Sequence, residues 1–327
     1  MLKKLLLTVL GLVGLLVVVG GVYVASRQHL KFDAPFPPVA ASTDTAVIAR
    51  GHYIVRNVAN CGQCHGDPAQ HEANTAGVDV PLSGGFTWDI PPGKIHARNI
   101  TPDDETGIGK APDGALARAL RNGIGPDGRA LLPFMEMQGL SDEDLVAVIS
   151  YLRTQAPVHH AVPMHELTLL GNIVKATILA NPVGPKETPP KASPRGATVE
   201  NGRYLVESVA LCWACHTQRD VKTGALVGPR FGGATDFKEA GDPGHVWAPP
   251  NITSDGATGR LGKMSEDDFV NRFRGGRLIE HSPMPWQGFQ RMSEDDLRAM
   301  YKYLKSLPPV NRDVGPPLRE VASVDHR

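Results

Sequence analysis

Cys61-Gly62-Gln63-Cys64-His65 recurs in this chain as Cys212-Trp213-Ala214-Cys215-His216, and these two stretches hold all four cysteines. Cysteines three residues apart lie on one face of a helical turn, with a histidine directly after them. C-x-x-C-H is the attachment sequence of a c-type haem. Each thiol forms a thioether to a haem vinyl group, and the histidine, whose neutral ring nitrogen is a good iron ligand, comes to lie under the iron. A zinc half-site or a thioredoxin-like redox pair can be written with the same residues. Both fit less well, because no cysteine is left for a further metal site or a disulfide, and each pair stands inside a matching repeat. The expectation is two covalently bound haems, one on Cys61, Cys64 and His65, the other on Cys212, Cys215 and His216.

Outward from these motifs the chain is an internal duplication. Gly51-x-Tyr53 precedes the first motif and Gly202-x-Tyr204 the second. Pro81 with Gly84-Gly85 matches Pro229 with Gly232-Gly233, and Asn99-Ile100-Thr101 matches Asn251-Ile252-Thr253. Ser141-Asp142-Glu143-Asp144-Leu145 and Tyr151-Leu152 return as Ser293-Glu294-Asp295-Asp296-Leu297 and Tyr303-Leu304. Apolar spacing predicts a helix from Thr45 to Asn60, running into the first motif. Ser141 and Ser293, each with an acid three residues on, open helices that reach about Thr154 and Ser306 and end before prolines. Further helices start at Pro112-Asp113-Gly114 and at Ser265. No stretch alternates as a strand, so the expected class is all-α, with haem domains at residues 43–158 and 198–310. Gly51 and Gly202 stand where the first helix of each copy can approach the last, against Tyr151 or Tyr303.

At the N-terminus, Leu5 to Ala25 is a charge-free apolar run behind Lys3 and Lys4. Its length matches the ~20 residues of a spanning helix and exceeds the core of a signal peptide. Residues 1–27 are therefore read as a single-pass anchor in the cell inner membrane, with the lysines cytoplasmic and the haem domains in the periplasm. A cleaved signal, with Val24 and Ser26 as tolerable residues before the cut, is the competing reading, although no A-x-A stands there. Residues 28–42 form a Pro-rich tether. Residues 159–197 are a linker with a short apolar helix between Leu167 and Leu179, and 311–327 a C-terminal tail.

Together these features resemble the c-type cytochromes: Gly-x-Tyr, C-x-x-C-H, a Gly-Gly loop, Asn-Ile-Thr, a methionine loop and a Ser-Asp-Glu-Asp-Leu helix ending in Tyr-Leu. The resemblance covers about residues 45–158 and 198–310 and implies two tandem cytochrome c-like domains behind the N-terminal transmembrane helix. Asn-Ile-Thr-Pro-Asp and Ser-Asp-Glu-Asp-Leu are similar to the haem subunits of membrane-bound alcohol, aldehyde and sugar-acid dehydrogenases. Those carry three haems, so the present chain looks more like dihaem relatives. The resemblance also implies a methionine as second axial ligand, which tunes the iron to higher potential. Met284, in Ser282-Pro283-Met284-Pro285-Trp286, is the candidate in the second copy. In the first, Leu132 falls opposite Met284 without gaps, so Met135 is taken, with Met137 as the alternative. Pro81 and Pro229 are candidates to offer the carbonyl that holds each ligating histidine. Asn99 and Asn251 are candidates to order the haem edge, or to make a turn. His52, His159, His160, His165 and His281 are read as surface or packing residues.

Lys and Arg balance Asp and Glu at 34 each, which argues against nucleic acid as a partner. Residues 43–158 carry 9 basic against 14 acidic residues, and 198–310 carry 14 of each, so the first copy offers an acidic face to a basic electron partner. The expected function is one-electron transfer from a membrane-associated dehydrogenase to a respiratory-chain acceptor, without catalysis by the chain itself. A dihaem peroxidase, with one iron open to peroxide, is the alternative. If the anchor is retained, the mature protein fractionates with membranes and keeps its first residues. An N-terminus near Arg27 by sequencing of the mature protein contradicts it.

Overall fold

The computed structural model describes residues 1–220, 224–238 and 244–320. Helix α1 (Leu2–Ser26) has no buried residue and is long and apolar enough to cross a membrane, with a mean hydropathy of 2.8 over its most apolar stretch. The first copy contains α2 (Thr45–Tyr53), α3 (Gly62–His65), α4 (His71–Thr75), strands β1 (Thr87–Ile90) and β2 (Gly93–His96), α5 (Asp113–Asn122) and α6 (Asp142–Thr154). The connection adds β3 (Glu166–Leu167) and α7 (Leu169–Thr177). The second copy and its tail contribute α8 (Val199–Tyr204), β4 (His245–Trp247), α9 (Glu266–Arg274), α10 (Trp286–Phe289), α11 (Glu294–Ser306) and β5 (Leu318–Glu320).

Helix predominates, but the all-α expectation needs correction. Antiparallel pairing joins β1, β2 and β3 into one small sheet, and β4 with β5 into another. These strands are two to four residues long, too short for alternation to be legible. Their partners β3 and β5 come from the connection and from the tail, pairings that only the folded chain brings together.

Two features shape the approach to each C-x-x-C-H. First, α2 and α8 run on as one wide turn, Ile54–Val58 and Leu205–Val209, closed by i to i+5 bonds from Ala59 N to Ile54 O (2.8 Å) and from Ala210 N to Leu205 O (2.7 Å). Such π-turns concentrate at functional sites. Second, Asn60 and Leu211, directly before the first cysteine, both have φ 51°. For a leucine this left-handed backbone costs about 1–2 kcal/mol and persists only where packing enforces it.

Helix α2 packs on α6, and α8 on α11. A Cβ on Gly51 would lie 1.9 Å from Ala147 O, and one on Gly202 1.9 Å from Ala299 O. Each glycine thus lets two helices touch through backbone, with Tyr151 or Tyr303 beside it.

The copies are joined by a reciprocal pair of tyrosines. Tyr204 Oη accepts from Ser141 N (3.1 Å) and donates to Asp144 Oδ2 (2.7 Å). Tyr53 Oη accepts from Ser293 N (3.0 Å) and donates to Asp296 Oδ2 (2.6 Å). Ser141 and Ser293 cap their helices by accepting from Asp144 N and Asp296 N. At Ser265 the acid at the third position returns to the cap amide, completing a capping box. At Ser141 and Ser293 the tyrosine of the other copy takes that place, and the acid is released to other partners. Asp144 is fully buried and receives both Arg50 Nε and Nη2 at 2.8 Å. Burial pushes its carboxyl up, but Arg50 and Tyr204 outweigh this and hold it below the ordinary range. Its contribution to stability is present above that range and is lost as pH falls through the folded-state value.

Tyr204→Phe leaves a buried carboxylate and a cap amide each short of one bond, at a cost of about 1–3 kcal/mol in denaturant unfolding. Tyr53→Phe, at a partly exposed site, costs less. Gly202→Ala destabilises by about 1–3 kcal/mol through overpacking, against a helix propensity that favours Ala. Stabilisation by that change contradicts the helix contact described above.

Candidate haem-binding sites

Each C-x-x-C-H follows its π-turn as a short helical turn, with His65 N bonded to Cys61 O (2.8 Å) and His216 N to Cys212 O (3.0 Å). Cys61 and Cys212 are half-buried against the apolar core, together with Met137, Met284 and Met264. Burial pushes the Cys61 thiol up to about 11, with the Arg56 charge working against it. The Cys212 thiol is pushed up to about 12 by burial, then by Cys215 and Glu207. Among the described residues, no three or more His, Cys, Asp or Glu side chains gather as a set that could hold a metal ion.

The histidines are oriented alike. His65 Nδ1 lies 2.7 Å from Arg98 O, and His216 Nδ1 lies 2.8 Å from Pro250 O. A carbonyl only accepts, so each Nδ1 carries the proton and Nε2 keeps its lone pair for a ligand. Burial lowers both histidine pKa values, against the opposing carbonyl bonds, which favours the neutral ring that binds metal.

The carbonyls that hold these rings are therefore those of Arg98 and Pro250, not those of Pro81 and Pro229. Pro81 O instead accepts from Asp67 N, and Pro229 O from Gly232 N. Nor are the two prolines equivalent in space. Gly84 N bonds His65 O as Gly233 N bonds His216 O, and Ile100 N bonds Leu82 O as Ile252 N bonds Phe231 O. That register places Arg230, not Pro229, opposite Pro81. Gly84 (φ 74°) and Gly233 (φ 82°) have no room for a Cβ against the strands of backbone that carry the two carbonyls.

Asn99 and Asn251 make the turn. Asn99 Oδ1 accepts from Thr101 N (2.9 Å), and its Nδ2 donates to Thr106 Oγ1 (3.1 Å) and Val158 O (2.8 Å). Asn251 repeats this with Thr253 N (3.0 Å), Thr258 Oγ1 (3.1 Å) and Val310 O (2.6 Å). Each asparagine thereby pins the loop whose preceding residue presents the carbonyl to the histidine. The signal for Arg98 and Pro250 was present, since each stands directly before Asn-Ile-Thr.

In the methionine loops, Gly139 and Gly288 each press on the other copy. A Cβ on Gly139 would meet Ser208 Oγ at 2.5 Å, and one on Gly288 would meet Asn60 Oδ1 at 2.0 Å, each on the pre-motif segment of the other copy. The bonds of the two loops match without a gap, Phe134 N to Leu132 O as Trp286 N to Met284 O and Leu140 N to Met137 O as Met292 N to Phe289 O, so Leu132 stands opposite Met284 in space as in sequence. Met137 and Trp286 both pack with the core, while Met135 is half-buried. Arg121 donates to Gln138 O as Arg274 does to Gln290 O, and Arg291, whose Nε meets Asn57 Oδ1 (3.0 Å), stands where Gly139 meets Ser208. Gln63 Nε2, inside the first motif, donates to Pro283 O of the second methionine loop (3.1 Å).

The electrostatics of the two copies differ at one matched position. Buried Arg56 donates to Tyr151 Oη (2.8 Å), Val80 O (2.9 Å) and Gln155 Oε1 (3.0 Å). Its counterpart Glu207 accepts from Tyr303 Oη (2.7 Å) and pairs with Arg230.

The remaining histidines have local partners. His52 Nε2 meets Asp79 Oδ2 at 2.5 Å, exposed His159 lies near Asp103 and Glu105, and His160 Nδ1 lies 2.9 Å from Ser83 O. His165 faces His96, and burial with the Arg98 charge lowers its pKa to about 4. His281 is exposed beside Glu280.

No protein-family model matches the chain. It is 33% identical over 290 residues to the cytochrome c subunit of the quinone alcohol dehydrogenase of Gluconobacter oxydans (strain 621H), covering 83% of this chain and 57% of that protein. The gluconate 2-dehydrogenase cytochrome c subunit of Pantoea cypripedii is 30% identical over 288 residues, 80% of this chain and 60% of its own. A diheme cytochrome c-type protein of Cereibacter sphaeroides is 25% identical over 277 residues, 76% of this chain and 82% of its own. The chain thus spans somewhat more than half the length of the dehydrogenase subunits it matches. Over most of its length it is a homologue of the cytochrome c subunits of bacterial alcohol and gluconate dehydrogenases and of a diheme cytochrome c.

Proposed function

We propose that this chain is a membrane-anchored, periplasmic dihaem cytochrome c, which takes single electrons from a dehydrogenase and passes them toward the respiratory chain. The observation that carries this reading is the duplicated C-x-x-C-H whose histidine is tied by Nδ1 to a backbone carbonyl. Relatives that are cytochrome c subunits of dehydrogenases support it and favour a dehydrogenase as donor. The chain would move electrons and leave substrate chemistry to its partner.

In this reading residues 43–158 and 198–310 are the two haem domains, residues 1–27 the anchor and residues 28–42 the Pro-rich tether between anchor and first domain. Cys61 and Cys64 hold one haem c, and Cys212 and Cys215 the other. His65 and His216 would each ligate the iron through Nε2, and Met135 and Met284 would supply the second protein ligand. Pro133-Phe134-Met135 before the Ser-Asp-Glu-Asp-Leu helix, as in a shortened ligand loop, favours Met135 over Met137. The bound haem iron supplies reversible one-electron chemistry. The protein's own work is placement: Arg98 and Pro250 fix the rings, Asn99 and Asn251 hold the loops that carry those carbonyls, and the apolar core keeps water from the site.

Purified protein is expected to keep two haems through acid and organic solvent, and Cys61→Ala or Cys212→Ala to weaken attachment at one site only. A single bound haem, or haem lost on extraction, overturns the reading. A methionine sulfur on ferric haem gives a weak absorption band in the red. Met284→Ala and Met135→Ala should each remove one site's share of it. Loss with Met137→Ala instead reassigns the ligand but leaves electron transfer in place. One site's share in the unmodified protein, with ready cyanide or peroxide binding at the first haem, favours the peroxidase.

A further inference from the structure

Helix α7 belongs to neither copy of the repeat, and its surroundings are distinctive. It is fixed on two sides. Thr168 N and Oγ1 donate to Pro92 O and Pro91 O (both 3.0 Å) at the turn of the β1–β2 hairpin, and Gly171 is pressed so close that a Cβ would lie 1.9 Å from Pro92 O. On another side it packs against α1. Gln28 Nε2 bridges Val24 O (2.8 Å) and Asn172 O (3.0 Å), while Lys175 Nζ donates to Gln28 O (2.7 Å).

The third side is bare and apolar. Leu169 is 76% exposed, Leu170 51% and Ile173 41%. At helical spacing these three and Thr177 share one face, and Ile178, just past the helix, is 65% exposed. Scattered surface leucines need no explanation, but a contiguous apolar face on a helix marks an interaction site.

The contacts with α1 decide what covers this face. If α1 spans the bilayer, its C-terminal end emerges at the headgroups, and a helix hydrogen-bonded to Gln28 lies at that level. Arg27 and Lys175 stand at the same place, suited to anionic headgroups. We infer that α7 lies in the bilayer interface beside the exit of α1, with Leu169, Leu170 and Ile173 inserted among lipid, as a second membrane contact that sets the orientation of the haem domains. The inference rests on the anchoring reading of α1.

The test uses the full chain in nanodiscs of phosphatidylethanolamine and phosphatidylglycerol. The photoreactive residue p-benzoylphenylalanine is introduced singly in place of Leu16 in α1, Ile173 in α7 or Leu278, a 70% exposed residue of the second copy. Each variant must first show the visible spectrum of the unmodified protein. After irradiation, peptides are searched by mass spectrometry for lipid adducts. Adducts at positions 16 and 173 but not 278 are expected. An adduct at 16 without one at 173, or equal labelling at 173 and 278, overturns the contact of α7 and leaves the anchor standing. No adduct at 16 overturns the anchor itself, and the inference with it.

Discussion

The architecture depends on a backbone contact that only glycine permits. Gly51 lets α2 lie against Ala147 of α6, and Gly202 lets α8 lie against Ala299 of α11, with less than a side chain between the axes. This crossing sets where the first helix of each copy ends, and so where the π-turn, the left-handed residue and the C-x-x-C-H begin. A haem site assembled from loops needs such a fixed edge, because ordered loops have few contacts of their own to resist the entropy of an unfolded chain.

From that edge the second half of each site is built at a distance in sequence. The loop before Asn-Ile-Thr returns to place a carbonyl on the histidine ring, and the asparagine locks it to the segment following the last helix. The same polar groups thus close the fold and set the tautomer. Structure and chemistry are coupled here through a few buried hydrogen bonds, each costly to leave unmade.

The copies are not independent beads. Tyr53 and Tyr204 exchange places across the interface, each finishing the helix cap of the other copy, and Gly139 and Gly288 each press on the other's pre-motif segment. The buried apolar residues of both copies form one continuous cluster. Such an interface would fix the separation of the two proposed haem sites. Yet the matched Arg56 and Glu207 leave different charges beside the two cysteine pairs.

Much of this was legible from residues alone. The two C-x-x-C-H motifs, the duplicated landmarks, the capped helices opened by Ser141, Ser265 and Ser293 and the close approach at Gly51 and Gly202 follow from local rules of spacing, capping and steric size. Local rules do not reach the strands, since β3 and β5 are defined only by partners far along the chain. They also misassigned the carbonyls that accept from His65 and His216 to Pro81 and Pro229, because which loop returns to the ring is set by the folded chain and not by nearness in sequence. The acid three residues after Ser141 read as a capping partner for the same reason: Asp144 has that option locally, and tertiary structure overrides it with Arg50 and a tyrosine from the other copy. What the sequence determined by itself was which chemistry each segment carries. Which segments meet was decided by the folded chain, where burial makes every unpaired polar group costly and thereby selects one register among several that local propensity allows.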